Sequence, residues 1–141
     1  MGGLIGVENM INTYTIPSGD STTSRVKLFN IPQDRRCIAI LNLFTYKNQG
    51  RCSAILDIIV DSGGAIINSK ILCGSITNTS FAIKIWKVQE NDGSCSIYVN
   101  TPYGEIISPQ SNFIILLKGG NTAITNIIAK LPEGAEEITI S

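Results

Sequence analysis

The sequence predicts an all-β protein whose architecture is an antiparallel β-sandwich of about ten short strands. Residues 37–44 and 52–60 alternate with a period of two, and residues two apart in a strand share a face. Each segment therefore has one apolar face: Cys37, Ala39, Leu41 and Leu43 in the first, and Cys52, Ala54, Leu56, Ile58 and Val60 in the second. No segment has a convincing helical period, and turn-forming residues recur at close spacing, which is typical of sandwiches and barrels.

The chain divides into a glycine-rich lead-in or linker, residues 1–10, and one sandwich domain, residues 11–141. Clusters such as Asn48-Gln49-Gly50 and Asn91-Asp92-Gly93 provide hairpin turns, because glycine tolerates positive φ. The predicted strands are 11–16, 24–30, 36–46, 51–61, 64–73, 80–88, 94–100, 104–107, 111–118, 122–129 and 136–140.

Composition argues against several classes of function. Eleven basic residues balance eleven acidic ones, so the chain lacks the basic stripe that nucleic-acid binding requires, and we expect no nucleic-acid partner. No apolar run is long enough to span a bilayer, so we expect no membrane insertion. Histidine is absent, which removes Ser-His-Asp and Cys-His arrangements, and no phosphate-binding glycine motif occurs. We expect no enzyme activity, no catalytic residues and no cofactor.

The chain has four cysteines, Cys37, Cys52, Cys73 and Cys95. No two of them form a C-x-x-C pair, so we expect no metal site. Each shares a strand face with aliphatic residues; Cys73, for example, is two residues from Ile71. We interpret them as buried free thiols that behave as small hydrophobic groups. The alternative is one or two disulfides in a secreted protein.

The hairpin formed by residues 36–61 has an unusual second face. If residues 47–50 form its turn, Thr45 lies opposite Cys52 and Ile40 lies opposite Asp57. The face away from the core then mixes isoleucine and aromatic side chains with isolated polar groups, and the residues we expect in a subunit interface are Ile38, Ile40, Asn42, Phe44, Ile55, Asp57 and Ile59. Burial under the chain's own loops and chance exposure are the alternatives.

Trp86 is predicted on an outer strand face together with Lys84. An exposed tryptophan there is a candidate platform for stacking against a sugar. An amphipathic residue at a rim or an interface is the alternative.

Two stretches carry a resemblance to a known family. They are the long hairpin, with Leu41-Asn42-Leu43-Phe44 and Leu56-Asp57-Ile58-Ile59, and the pattern Ile97-Tyr98-Val99-Asn100 followed by the aliphatic strand 112–117. Together they resemble the C-terminal domains of bacteriophage tail spikes, fibres and appendages, which are similar to the jelly-roll trimers of the tumour-necrosis-factor and complement-head type. The resemblance implies a jelly-roll sandwich, a homotrimer, and a place in the virion tail after synthesis in the bacterial cytoplasm.

The resulting hypothesis is a non-enzymatic tail-protein end domain that contributes to attachment to a host cell-surface glycan or protein receptor, to assembly of the tail fibre, or to both. We expect a receptor site on loops at one end of the sandwich or in the grooves between subunits. The candidate residues there are Tyr46, Asn48, Trp86, Asn91 and Tyr103. The alternative function is a stand-alone carbohydrate-binding sandwich, and an enzyme of an unrecognised kind ranks last.

Overall fold

A computed structural model describes residues 11–15, 25–47, 50–77, 83–100, 112–122, 128 and 130–141. Within these ranges the chain is all-β and has no helix, hence none that could span a membrane. The strands are β1 (Ile11–Thr15), β2 (Arg25–Ile31), β3 (Arg36–Lys47), β4 (Gly50–Asp61), β5 (Ile66–Ser75), β6 (Ile85–Gln89), β7 (Cys95–Asn100), β8 (Asn112–Lys118), β9 (Asn121–Thr122) and β10 (Glu136–Ile138).

Most predicted strands agree with these bounds within a few residues. The strand predicted at 80–88 begins only at Ile85. The strand predicted at 104–107 lies outside the described residues. Of the strand predicted at 122–129, the described part contains β9 and a single bridge between Ile128 and Arg25.

The strands form two antiparallel sheets. Sheet I has the order β1-β8-β3-β4-β5, and sheet II has the order β10-β6-β7-β2-β9. Strands β3, β4 and β5 follow one another as hairpins, whereas β8 returns to lie beside β3 after the chain has passed through sheet II. This order, fourth strand beside the first of three, is that of a Greek key.

The β3–β4 hairpin has the register that the alternation predicts. Thr45 is opposite Cys52, Ile40 is opposite Asp57, and Lys47 is opposite Gly50. A shift by one residue would turn the core-facing side chains of one strand, such as Leu41, to the outer face, so burial of the inward face selects this register.

One hydrophobic core lies between the two sheets. The predicted core residues of β3 and β4 with described side chains are at most 1% exposed: Cys37, Ala39, Leu41, Ala54, Leu56, Ile58 and Val60. Sheet II contributes Val26, Leu28, Phe29, Ile31, Ile85, Ile97 and Val99 to the same cluster. The prediction of a two-sheet sandwich with these inward faces is therefore confirmed for the described residues.

A β-bulge interrupts the alternation in β2. Lys27 pairs with Tyr98 and Phe29 pairs with Ile97, so the register shifts by one residue between them. Both Leu28 and Phe29 are consequently buried. The shift also aligns Asn30 with Ser96, on the face of sheet II that points away from the core.

The C-terminal segment joins the edges of the two sheets. Strand β10 pairs with β6 of sheet II, and its Ile138 enters the core. Three residues later, the carbonyl of Ser141 accepts a hydrogen bond of 2.8 Å from the Ile71 N–H, and the Ser141 N–H donates one of 3.2 Å to Ser69. The backbone of edge strand β5 is thus partly paired by the chain itself.

Candidate functional site

Three cysteines have described side chains, and all three are free thiols. Cys37 and Cys95 are buried, and Cys73 is exposed. Burial raises the pKa of the Cys37 thiol to about 12 and also raises the pKa of Cys95. Both are therefore protonated at neutral pH, which agrees with the interpretation as small hydrophobic groups. The side chain of Cys52 lies outside the described part.

Cys73 is exposed, so its predicted burial is wrong. The reason is a bulge in β5: Ile71 pairs with Leu56 on the core face, whereas Cys73 pairs with Ile55 on the opposite face. Leu72 stands between them without a partner in the register and is 54% exposed. The bulge breaks the alternation on which the prediction depended.

The outer face of sheet I is the predicted interface. We define it by the residues on the solvent side of β3 and β4 whose side chains are described: Ile38, Ile40, Asn42, Ile55, Asp57 and Ile59. Ile38 is 44% exposed and the other five are half-buried. The four isoleucines belong to neither hydrophobic cluster of the described chain. Phe44 lies in β3 opposite Ser53, but its side chain is outside the described part.

The charged groups on and beside this outer face have partners or opposite charges beside them. The Asn68 amide donates a hydrogen bond of 3.0 Å to the Asp57 carboxylate, and Lys70 lies opposite Asp57 in the register. At the end of the face, the Arg36 guanidinium is 2.6 Å from Asp61. The hydrogen bond and charge of Arg36 lower the pKa of Asp61. The face is therefore apolar in patches but balanced in charge.

Part of the outer face of sheet II is covered by the chain itself. Trp86, Val88 and Tyr98 form a buried cluster. Half-buried residues from a later segment pack against this cluster: Ile128, Leu131 and Ala135. We refer to the described residues of this segment, 128 and 130–135, as the covering segment.

Trp86 is on the outer face, as predicted, but it is only 8% exposed. The Arg25 guanidinium lies 4.4 Å from the centre of the indole ring, a cation–π distance. The ring is therefore unavailable as the open stacking platform that the sequence suggested. Packing under the covering segment is the physical reason.

A polar groove lies at one end of sheet II. Its volume is about 450 Å³. The groove is lined by Lys27, Asn30, Glu90, Asn91, Asp92, Ser94 and Ser96. Asn91, a predicted receptor-binding residue, is exposed at this site.

Hydrogen bonds connect the residues at the base of the polar groove. The Asn30 amide donates to the hydroxyl oxygens of Ser94 and Ser96, each at 3.0 Å. The Ser94 hydroxyl donates in turn to the Asp92 carboxylate at 2.5 Å, and the Ser94 N–H donates at 2.9 Å. These two bonds lower the pKa of Asp92, which is ionised at neutral pH.

Apart from Trp86, only Tyr46 among the other predicted receptor residues lies in the described part, and it is far from Asn91. Tyr46 is opposite Arg51 near the far end of β3, and Asn48 and Tyr103 lie outside the described residues. The turn that contains Asn91 contacts the loop before β3, since a Cβ on Gly93 would meet the Gln33 side chain at 2.8 Å. The length of β3 therefore separates Asn91 from Tyr46.

Sequence reasoning missed the network that links Asn30, Asp92, Ser94 and Ser96. Alternation around Cys95 and Ile97 does place Ser96 on the outer face. The position of Asn30 depends on the β2 bulge, however, and no pattern in the sequence predicted that bulge.

Comparison of the chain with protein-family models, with curated proteins and with solved structures returned no match.

Proposed function

We propose that this domain is a non-enzymatic virion module that assembles as a homotrimer through the outer face of sheet I. It would form the end of a bacteriophage tail protein and contribute to host-surface attachment and fibre assembly. The observation that carries the proposal is the contrast between two outer faces. On sheet II the covering segment packs on Trp86, Val88 and Tyr98, whereas the isoleucines of sheet I join no hydrophobic cluster of the described chain.

Burial of the sheet I face between copies is energetically favourable. Removing apolar surface from water contributes about 25 cal/mol per Å². The same face contains Asp57, whose desolvation would be costly without a partner. Asn68 already supplies a hydrogen bond to that carboxylate, and Lys70 supplies an opposite charge in the register. An interface that mixes apolar patches with satisfied polar groups is typical of subunit contacts.

The trimeric state, the jelly-roll type and the virion location come from the resemblance to tail-protein end domains. Two elements of that resemblance correspond to strands: Ile97-Tyr98-Val99-Asn100 lies in β7, and residues 112–117 lie in β8. The Greek-key position of β8 beside β3 is compatible with a jelly roll, which contains two such keys.

Assembly is tested by light scattering on the size-fractionated domain at micromolar concentration. We expect three copies for the parent chain and a monomer for Ile38→Lys, because a charge would be buried at the interface. Ile67→Lys is the matched control, since Ile67 is also an exposed isoleucine (50% against 44%) but belongs to edge strand β5. It should remain trimeric.

A monomeric parent domain would overturn the assembly proposal. Equal behaviour of the two lysine variants would place the contact elsewhere. Circular dichroism of each variant shows whether it is folded. Attachment is tested separately: the purified domain should compete with its parent phage for adsorption to host cells, and undiminished adsorption would contradict that role.

The alternative, a stand-alone carbohydrate-binding module, depended on exposed aromatic residues. Trp86 is buried beneath the covering segment, which removes its principal candidate.

A further inference from the structure

We infer that the polar groove binds a hydroxyl-rich saccharide unit through the amide group of Asn30 and the carboxylates of Glu90 and Asp92. The biological role of such a site, recognition of a host glycan, rests on the attachment part of the proposed function. The binding itself does not.

The base of the polar groove is preorganised. Ser96 is fully buried as a residue and Ser94 is 4% exposed, and the Asn30 amide holds both hydroxyl oxygens at 3.0 Å. Both bonds are donated by the Asn30 nitrogen, so its carbonyl oxygen is not used by them. A ligand that binds a base already fixed in this way loses less conformational entropy on binding.

The turn before β7 is held in place by its own side chain. Asp92 accepts hydrogen bonds from both the N–H and the hydroxyl of Ser94, and Gly93 adopts a φ of +86° that allows the chain to turn back. This arrangement keeps the Asp92 carboxylate at the groove, where Asn91 is exposed next to it. The turn therefore contributes acceptors at a defined place.

The charges of the lining select the class of ligand. Lys27 is cationic, whereas Glu90 and Asp92 are anionic, so the lining favours neither a polyanion nor a polycation strongly. Sugar hydroxyls can donate to carboxylates in charge-assisted hydrogen bonds and can accept from an ammonium or an amide. The groove is an open surface site of about 450 Å³, so a ligand there would remain partly exposed to solvent.

The binding test uses the full chain labelled with ¹⁵N and a panel of hexoses, deoxyhexoses and N-acetylhexosamines, each titrated to tens of millimolar. At least one sugar should shift amide signals of residues 27–30 and 90–96 while leaving those of β4 unchanged. The same titration with calcium chloride and with a short oligolysine peptide tests the competing ligand classes.

The variants are Asp92→Asn and Glu90→Gln, with Glu137→Gln as the matched control. Glu137 is an exposed acid on β10 and does not line the groove. We expect Asp92→Asn to weaken sugar affinity about tenfold, the effect of losing hydrogen bonds to a charged group, and Glu137→Gln to leave it unchanged. Thermal unfolding of each variant identifies any loss that is due to misfolding.

Several outcomes would overturn the inference. They are no response to any sugar of the panel, shifts outside the groove, equal affinity of Asp92→Asn and Glu137→Gln, or a response to calcium or oligolysine alone. Light scattering on the same sample separates this inference from the proposed assembly. A trimer that binds no sugar removes only the groove assignment, and a monomer that binds sugar removes only the trimer.

Discussion

The outer faces of the two sheets differ in how far the described chain covers their apolar side chains. On sheet II, Trp86 and Tyr98 are 8% and 5% exposed because residues of the covering segment pack on them. On sheet I, Ile38 is 44% exposed, and its neighbours on β3 and β4 are half-buried without joining a hydrophobic cluster in the described ranges. An antiparallel sheet can leave one face to solvent, but that face is then normally polar. The comparison teaches that the apolar character of a strand does not by itself say what covers it.

The largest expected difference between the faces is in stability. Trp86→Ala should destabilise the fold by about 3–5 kcal/mol, since it leaves a cavity beneath the covering segment. Ile38→Ala should change the free energy of unfolding by no more than about 0.5 kcal/mol when it is measured below the dissociation constant of the assembly, where the chain is monomeric. Urea denaturation of the two alanine variants measures both.

A loss below about 1 kcal/mol for Trp86→Ala would mean that the covering segment packs too loosely to bury the ring. Because Trp86 is the only tryptophan, its fluorescence follows the same face directly. A blue-shifted emission maximum in the folded parent is expected.

A smaller difference should appear in thiol reactivity. At pH 8 a thiol reagent should modify Cys73 in the dissociated Ile38→Lys variant, while Cys37 and Cys95 stay unreactive because burial raises the pKa of both. In the assembled parent we expect Cys73 to react severalfold more slowly, since it is in register with Ile55 of the proposed interface. Cys52→Ser in both backgrounds removes the fourth thiol from the measurement.

Equal rates in the two backgrounds would place Cys73 outside the contact. Rapid modification of Cys37 in the folded chain would contradict the burial of that thiol.

The smallest effect should come from the Arg36–Asp61 pair at the end of the sheet I face. Its hydrogen bond and charge lower the pKa of Asp61, so any stabilisation is present above the unfolded pKa of the carboxyl and is lost as the pH falls through the folded value. The pair is exposed and screened by solvent. Arg36→Gln should therefore not change the urea midpoint measurably at pH 7, and only slightly alter its decline below pH 4. A large change at neutral pH would show that the pair is buried in the assembly.

Several features could be predicted from residues alone because they depend on local alternation. The pairing of Ile40 with Asp57 follows from the length of the hairpin and the period of its side chains. The burial of Leu41 and Leu56 follows from the same period. A sheet with one apolar face has few alternative registers.

Features that depend on bulges or on distant segments could not be predicted. One unpartnered residue, Leu72, was enough to move Cys73 from the core face to the outer face. The alternation correctly predicts Trp86 on the outer face of sheet II. Its burial, however, depends on the covering segment, which lies more than forty positions later in the chain. The polar groove depends on a hydrogen bond between Asn30 and Ser96, which are 66 positions apart in the chain. The β2 bulge aligns these two residues, and the alternation pattern does not predict that bulge.

The sequence by itself determined the all-β class, the long β3–β4 hairpin and the apolar lining of its inward face, because a period of two is encoded between neighbours. Tertiary structure alone decided which outer face the chain covers and where polar side chains converge. Those outcomes arise from contacts between segments far apart in the chain, and their free energies cannot be read from the order of residues within either segment.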